Sequence, residues 1–315
     1  RGKDVYIIQS FFGNVADREK ELRFALDSSG MGGAARRLNV VMPYTFGSRS
    51  DKRTYPREPL DLVDLIRTLA GYRVNTFITV EIHNPSMEAV FNVKDIMFEN
   101  LECSYLIANI LLQRKDFTLS IDSPDSGGAA RVDDITDVIY AKTRELKLGA
   151  DNEGILLDSA IGCKKRMGDG KVKIKKIIGD AAGLNHFVYD DIGDTFGTLT
   201  AFSEMLKKLV AKQTTLATVH PILGEGSKEN IERMLSSGFV DEILLGNTVP
   251  LKPWVLGIPQ IKFIPLEPFV AEAIRRGNLQ ALQPLEKAIG GINDELDWLK
   301  PKSIVAYLDQ SVVGQ

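Results

Sequence analysis

The chain predicts an α/β fold of mostly parallel sheets flanked by helices, and three observations carry that expectation. Short apolar runs recur along the 315 residues. Stretches with helical apolar periodicity lie between them, and the polar motifs follow the strand runs, which is where open α/β sheets place their ligands. In order, the strand runs are Val5 to Gln9, Val40 to Pro43, Thr76 to Val80, Thr118 to Ile121, Gly154 to Leu157, His186 to Tyr189, Thr214 to Val219, Glu242 to Leu245 and Ile261 to Ile264. Among the helical stretches, Arg57 to Ala70 gathers Leu60, Val63, Leu65, Ile66 and Leu69 on one broad face. Thr198 to Val210 does the same with Leu199, Phe202, Met205, Leu206 and Leu209.

Bulk composition narrows the function. With 44% apolar residues the chain is long enough for two domains with cores of their own. A net charge of −3 supplies no basic field for a polyanion, so no nucleic-acid partner is expected. The two cysteines, Cys103 and Cys163, cannot build a disulfide framework, and no Cys/His cluster has zinc spacing. A reducing compartment, the cytoplasm, is the expectation. No apolar stretch approaches the roughly 20 residues that span a bilayer, so no membrane partner is expected. The start at Arg1 is neither a signal peptide nor a Met.

The most informative run is Phe187-Val188-Tyr189-Asp190-Asp191-Ile192-Gly193-Asp194-Thr195-Phe196-Gly197-Thr198. An apolar strand ends in two carboxylates and passes at once into a Gly/Thr turn that enters a helix. Adjacent aspartates can accept hydrogen bonds from the vicinal hydroxyls of a ribose, while Asp194, Thr195, Gly197 and Thr198 offer backbone N–H groups and hydroxyls at a helix N-terminus, a site that favours phosphate. A surface turn capped by Asp and Thr would share single features of this run, but not the whole combination.

Three other places bear polar side chains. Lys164-Lys165-Arg166-Met167-Gly168-Asp169-Gly170-Lys171 is a basic, glycine-bearing run between strands, composed like a mobile loop and also like a solvated surface loop. His83 follows Glu81 by two residues at a strand end, which puts both on one side of an extended chain. Asp125 with Gly127 and Gly128 sets one carboxylate beside a backbone that a pyrophosphate can approach closely.

The Asp-Asp-x-x-Asp-Thr-x-Gly-Thr run resembles the ribose-5-phosphate loop of the type I phosphoribosyltransferase fold. Further segments, in the same order, resemble the ribose-phosphate pyrophosphokinase (phosphoribosyl pyrophosphate synthetase) family. They are Arg1 to Gln9, Pro43-Tyr44 with Arg49, Asp51, Lys52 and Arg53, His83, Ser123-Pro124-Asp125-x-Gly127-Gly128, and Asn247-Thr248-Val249-Pro250-Leu251. The resemblance covers roughly residues 1 to 280. It departs from the family pattern at Glu81, where the family has Asp, at Ser50, where it has glutamine, and at Phe196, whose ring must point away from a bound phosphate.

This resemblance implies two similar phosphoribosyltransferase-like domains, each a mostly parallel sheet flanked by helices. Residues 1–100 would form an ATP-side domain, joined by a returning C-terminal helix at about 268–288, and residues 101–265 a ribose-5-phosphate domain. Residues 133–152 read as an inserted helical or hairpin excursion, and the tail 289–315 has no family counterpart. In the family a further strand, helix and acidic loop precede the strand at Val5; either this sequence omits that segment or this member lacks it.

The activity implied is transfer of the pyrophosphoryl group of Mg-ATP to ribose 5-phosphate. By the same resemblance Lys164 and Arg166 are catalytic cations, Arg49, Ser50, Asp51 and His83 contact ATP, His83 and Asp125 hold Mg2+, and Asp190, Asp191, Asp194, Thr195, Gly197 and Thr198 bind ribose 5-phosphate. Homo-oligomers, dimers grouped into hexamers, are implied as well. Two other classes share parts of the pattern: a non-catalytic paralogue that regulates a catalytic subunit, and a phosphoribosyltransferase. The first need not keep Lys164, Arg166, His83 and the Asp190/Asp191 pair, and the second has no reason to carry the ATP-side segments.

Overall fold

The apolar runs assemble into two parallel sheets that share a core. The computed structural model describes residues 1–53, 55–114, 118–145, 156–166, 172–179 and 182–279. Strands β1 (Asp4–Ile8), β2 (Arg37–Met42), β3 (Thr76–Val80) and β4 (Met97–Leu101) form a four-stranded sheet in that order. Helices α1 (Val15–Asp27), α2 (Asp61–Gly71) and α3 (Glu88–Val93) connect them. After α4 (Ser104–Gln113) come β5 (Thr118–Asp122), α5 (Ala129–Glu145) and β6 (Leu156–Asp158), then the antiparallel pair β7 (Ile161–Arg166) and β8 (Val172–Ile178). The chain continues through β9 (Asn185–Gly193), α6 (Gly197–Lys208), β10 (Gln213–Pro221), α7 (Ser227–Ser236), β11 (Glu242–Gly246), β12 (Ile261–Ile264) and α8 (Glu267–Leu279). The second sheet has the order β12-β11-β10-β9-β5-β6, and every pairing within the two larger sheets is parallel.

Side-chain alternation along the strands distributes the apolar residues over three layers. Val40, Met42 and Phe77 pack against Leu22, Leu62 and Phe91 of the first three helices. Their neighbours Val41 and Ile78 face the other way, into a cluster with Ile107 of α4 and Ile135 of α5. Phe187 and Tyr189 of the second sheet enter the same cluster, as do Phe269 and Val270 of α8, so one core serves both sheets. On the far side of the second sheet, Val188, Leu216 and Ile243 meet Phe202 of α6 and Ile231 of α7.

Each of the nine strand runs read from sequence contributes a strand among the described residues, residues 154–155 of the fifth lying outside them, with three instructive differences. β9 runs on to Gly193, so Asp190 and Asp191 lie inside the strand rather than past its end. The cause is β10, which continues alongside it as far as Pro221, opposite Gly193. The basic run expected as a loop begins as a strand, since Lys164, Lys165 and Arg166 pair with Ile174, Lys173 and Val172; residues 167–171 and the side chains of residues 164–166 lie outside the described residues. Residues 133–145 are the body of α5, whose Val132, Ile135, Val138 and Ile139 are buried in the shared core, so this part is a core element and no excursion. Residues 146–152 and the tail from 280 lie outside the described residues.

A polar anomaly lies in the shared core. Tyr189 is 2% exposed, and its hydroxyl has no hydrogen-bond partner among the described residues. Removing an unsatisfied buried hydroxyl is close to neutral or stabilising, whereas deleting a buried aromatic ring costs about 3–5 kcal/mol. Tyr189→Phe is therefore expected to keep or raise the denaturant midpoint and Tyr189→Ala to lower it sharply. A Tyr189→Phe midpoint well below wild type would show that the hydroxyl has a partner.

Candidate active site

Both sheets present the carboxyl ends of their strands to one cleft. On the second sheet, Tyr189 and Asp191 face the first sheet, and the Asp190 carboxyl lies beside that of Asp191. The chain then turns through Asp194 and Thr195 into α6. The Thr195 hydroxyl accepts the Gly197 N–H at 3.3 Å, and the Thr195 carbonyl accepts Asn230 Nδ2 at 2.8 Å. Two backbone bonds from the turn after β10, Leu223 N–H to Gly193 and Gly224 N–H to Asp194, buttress the loop from below.

Phe196 sits in the left-handed region at φ 61° and is 2% exposed. Its ring enters the core between the sheet and α6, away from the cleft, as the sequence required. Gly193 makes room for it: a Cβ there would lie 2.5 Å from the ring.

The first sheet meets this loop through a buried polar network. β3 ends at Val80, and Glu81 turns into the left-handed region at φ 43°, which breaks the extended geometry assumed for Glu81 and His83. The two side chains consequently part. Glu81 is buried, and its Oε2 accepts the Cys103 N–H at 2.7 Å while Oε1 accepts Arg131 Nε at 3.0 Å. His83 instead meets Asp191, Nδ1 to Oδ2 at 2.7 Å, across 108 positions of sequence. Arg131, from the first turn of α5, spans the two pairs: Nη2 donates to the His83 carbonyl at 2.8 Å and lies 3.4 Å from Asp191 Oδ2.

Arg49 and Asp194 form a second bridge, Nη1 to Oδ2 at 2.8 Å, between the loop after β2 and the loop before α6. Asp51 accepts Asn84 Nδ2 at 2.6 Å, which ties the same loop to the segment after β3. Ser50 is engaged locally: its hydroxyl donates to the Pro59 carbonyl at 3.2 Å and accepts the Asp61 N–H at 3.3 Å. Asp125 caps a tight turn by accepting the Gly127 N–H at 2.8 Å. The structure thus joins Arg49 to Asp194 and His83 to Asp191 by direct contact, while Asp51 reaches the segment after β3 through Asn84. Lys164 and Arg166 are placed by backbone alone, in the β7 arm of the hairpin. Behind Arg131 a cavity of about 240 Å³ opens beside His83, Asn100, Glu102 and Tyr189.

The charges in this cleft are unevenly balanced. Burial, reinforced by the charges of Asp191 and Asp125, pushes Asp190 well above the usual carboxylate range. Burial would raise Asp191 too, but the His83 hydrogen bond and the Arg131 charge outweigh it and hold Asp191 down at about 2. Burial raises Glu81 against the opposing pull of Arg131 and the Cys103 N–H. Among the described residues no group of three or more His, Cys, Asp and Glu would chelate a metal outright. Mg2+ does not need one, because it commonly takes one or two carboxylates and completes its shell with substrate phosphates and water. The crowding of the Asp190 carboxyl against Asp191 and Asp125 would be relieved by such a cation.

Sequence reading missed Arg131, which looks like one more charge in a polar helix start, and the role of His220. The latter is buried, with Nδ1 2.9 Å from the Thr248 hydroxyl and Nε2 3.1 Å from the Glu81 carbonyl. Since a carbonyl only accepts, Nε2 carries the proton. The Thr248 of the Asn-Thr-Val-Pro segment thereby helps fix the turn at Glu81.

Known proteins resemble this chain in sequence and in fold. A family model described as the N-terminal domain of ribose phosphate pyrophosphokinase matches residues 1–71, and one described as the phosphoribosyl synthetase-associated domain matches residues 155–281. The ribose-phosphate pyrophosphokinase of Buchnera aphidicola subsp. Schizaphis graminum is 30% identical over 277 residues, covering 88% of this chain and 81% of the relative. That of Wolinella succinogenes is 31% identical over 279 residues, with the same two coverages. A crystal structure of phosphoribosylpyrophosphate synthetase from Mycobacterium smegmatis superposes with a TM-score of 0.73 at 21% identity, over 89% of this chain and 84% of that one.

The buried imidazole predicts a pH dependence. Burial pushes His220 down from 6.5 to about 4, despite the nearby Asp191 charge. Between those values the unfolded chain binds a proton that the folded chain does not. Stability is therefore full above pH 6.5 and falls as pH drops toward 4, by on the order of 3 kcal/mol for this residue. His220→Asn is expected to be less stable than wild type at pH 8 but to lose less on acidification. Parallel stability curves for the two proteins, measured by denaturant titration between pH 8 and 4.5, would contradict this.

Proposed function

The chain belongs to the ribose-phosphate pyrophosphokinase family, and on that premise we propose how its residues transfer the pyrophosphoryl group of Mg-ATP to ribose 5-phosphate, giving phosphoribosyl pyrophosphate and AMP. The observation that carries the reading is the meeting of the two substrate sides: His83 with Asp191 at 2.7 Å and Arg49 with Asp194 at 2.8 Å, each pair drawn from different sheets. An in-line displacement requires both substrates in one water-poor cleft, and these contacts between the two sides support that reading.

In this reading Asp190 and Asp191 accept hydrogen bonds from the ribose hydroxyls. Asp194, Thr195, Gly197 and Thr198 surround the 5-phosphate at the N-terminus of α6, where the helix dipole and the first-turn N–H groups favour an anion. Arg49, Ser50, Asp51 and His83 serve ATP. His83 has Nδ1 committed to Asp191, which leaves Nε2 for phosphate or for a water on the metal. Asp125 and His83 would hold Mg2+, which supplies charge neutralisation of the triphosphate when bound. The anomeric hydroxyl attacks the β-phosphorus, the bond from that phosphorus to the α-phosphate oxygen breaks, AMP leaves, and the hydroxyl's proton passes to water. Lys164 and Arg166, assigned by motif, stabilise the charge that develops on the transferring group.

The four-stranded sheet, residues 1–100 with the helix beginning near 268, is the ATP-side unit of this proposal, and residues 101–265 are the ribose-5-phosphate unit. Homo-oligomers from dimer to hexamer and a cytoplasmic location belong to the same proposal. No helix among the described residues is long and apolar enough to cross a membrane.

The test is formation of AMP and phosphoribosyl pyrophosphate from Mg-ATP and ribose 5-phosphate. Wild type is expected to make both in equal amounts, and Lys164→Ala to lose on the order of 10²- to 10³-fold in kcat. A wild type that binds ribose 5-phosphate but yields neither product would make the protein a non-catalytic member of the family.

A further inference from the structure

We propose that Arg131 is a positioning residue for ribose 5-phosphate, holding Asp191 and His83 in mutual register without itself touching substrate. The inference rests on the reading of Asp191 as a ribose ligand. It starts from how the guanidinium is used. Neutralising the buried Glu81 would need one contact, and Nε provides it at 3.0 Å. Nη2 is spent elsewhere, on the Ile82 carbonyl at 3.3 Å, the His83 carbonyl at 2.8 Å and Asp191 Oδ2 at 3.4 Å.

These acceptors belong to two different sheets and surround one junction. The carbonyls fix the backbone on which His83 stands, and the carboxylate oxygen is the one that receives His83 Nδ1. A planar fork can satisfy such a set because its N–H directions are fixed relative to each other; a lysine ammonium keeps the charge but not that geometry. The guanidinium is also largely withdrawn from water, its side chain 13% exposed, which suits a fixed brace. Arg131 reaches the junction from a third element, the helix that begins directly after the Asp125 turn. One residue thus links the turn proposed for the metal, the histidine proposed for ATP and the carboxylate proposed for ribose.

Arg131→Lys, Asp191→Asn and the double variant are compared with wild type at a temperature where circular dichroism shows each folded. Arg131→Lys is expected to raise KM for ribose 5-phosphate about 10-fold, within the range for contacting residues. If Arg131 acts through Asp191, the double variant should be no worse than Asp191→Asn alone, within twofold. Glu81→Gln, which removes the anchor for Nε while keeping an acceptor oxygen, serves if Arg131→Lys does not fold, and is expected to move KM the same way by a smaller factor. Loss of thermal stability with an unchanged KM, or multiplicative effects in the double variant, would overturn the proposal and leave the enzymatic reading intact. Should wild type make no product, the thermal shift caused by ribose 5-phosphate alone decides: a shift lost in Arg131→Lys supports the role of Arg131. An equal shift in both proteins, or none in wild type, overturns it.

Discussion

Everything at the cleft depends on a buried ion cluster at the seam between the two sheets, in which one guanidinium faces Glu81 and Asp191. Burying charges is costly, and the cost is offset only when each is paired and hydrogen-bonded in good geometry. Here the chain meets that demand with groups it has to position anyway: the Cys103 N–H, the His83 ring and the carbonyls that follow β3. The arrangement leaves little freedom. The turn at Glu81 cannot extend without stranding a carboxylate, and the seam cannot open without separating Arg131 from one of its partners.

Much of the scaffold was legible in the sequence because parallel strands buried on both faces leave continuous apolar runs, as Phe187 to Tyr189 does. β4 escaped because it is an edge strand whose Glu99 and Asn100 interrupt the pattern. β7 and β8 escaped for a related reason: a basic hairpin carries the same composition as a loop. The end of β9 was set too early because carboxylates read as punctuation, whereas the backbone partner supplied by β10 decided where the strand stops.

At the site, sequence reading singles out residues that stand in local order and passes over those joined only by assembly. The Asp190 to Thr198 loop has its meaning in consecutive residues, and Phe196 could be assigned an inward ring from sterics alone. Arg131 acquires its role from groups 48 to 60 positions away, which no local pattern reveals. Glu81 misled for another reason. The residue looks like a strand-end ligand, but a left-handed turn, rarely adopted by a non-glycine residue, aims it into the interior.

The common apolar cluster between the sheets makes the two halves of this molecule inseparable as parts. Val41, Ile78, Phe187, Tyr189 and Phe269 belong to one interior, so a cut between the sheets would leave each fragment with a wet hydrophobic face. Neither half could be lifted out, swapped or inherited alone without rebuilding that surface. The molecule has the outline of a tandem pair but shares one interior, and gene rearrangements that shuffle modules would have to cut through it.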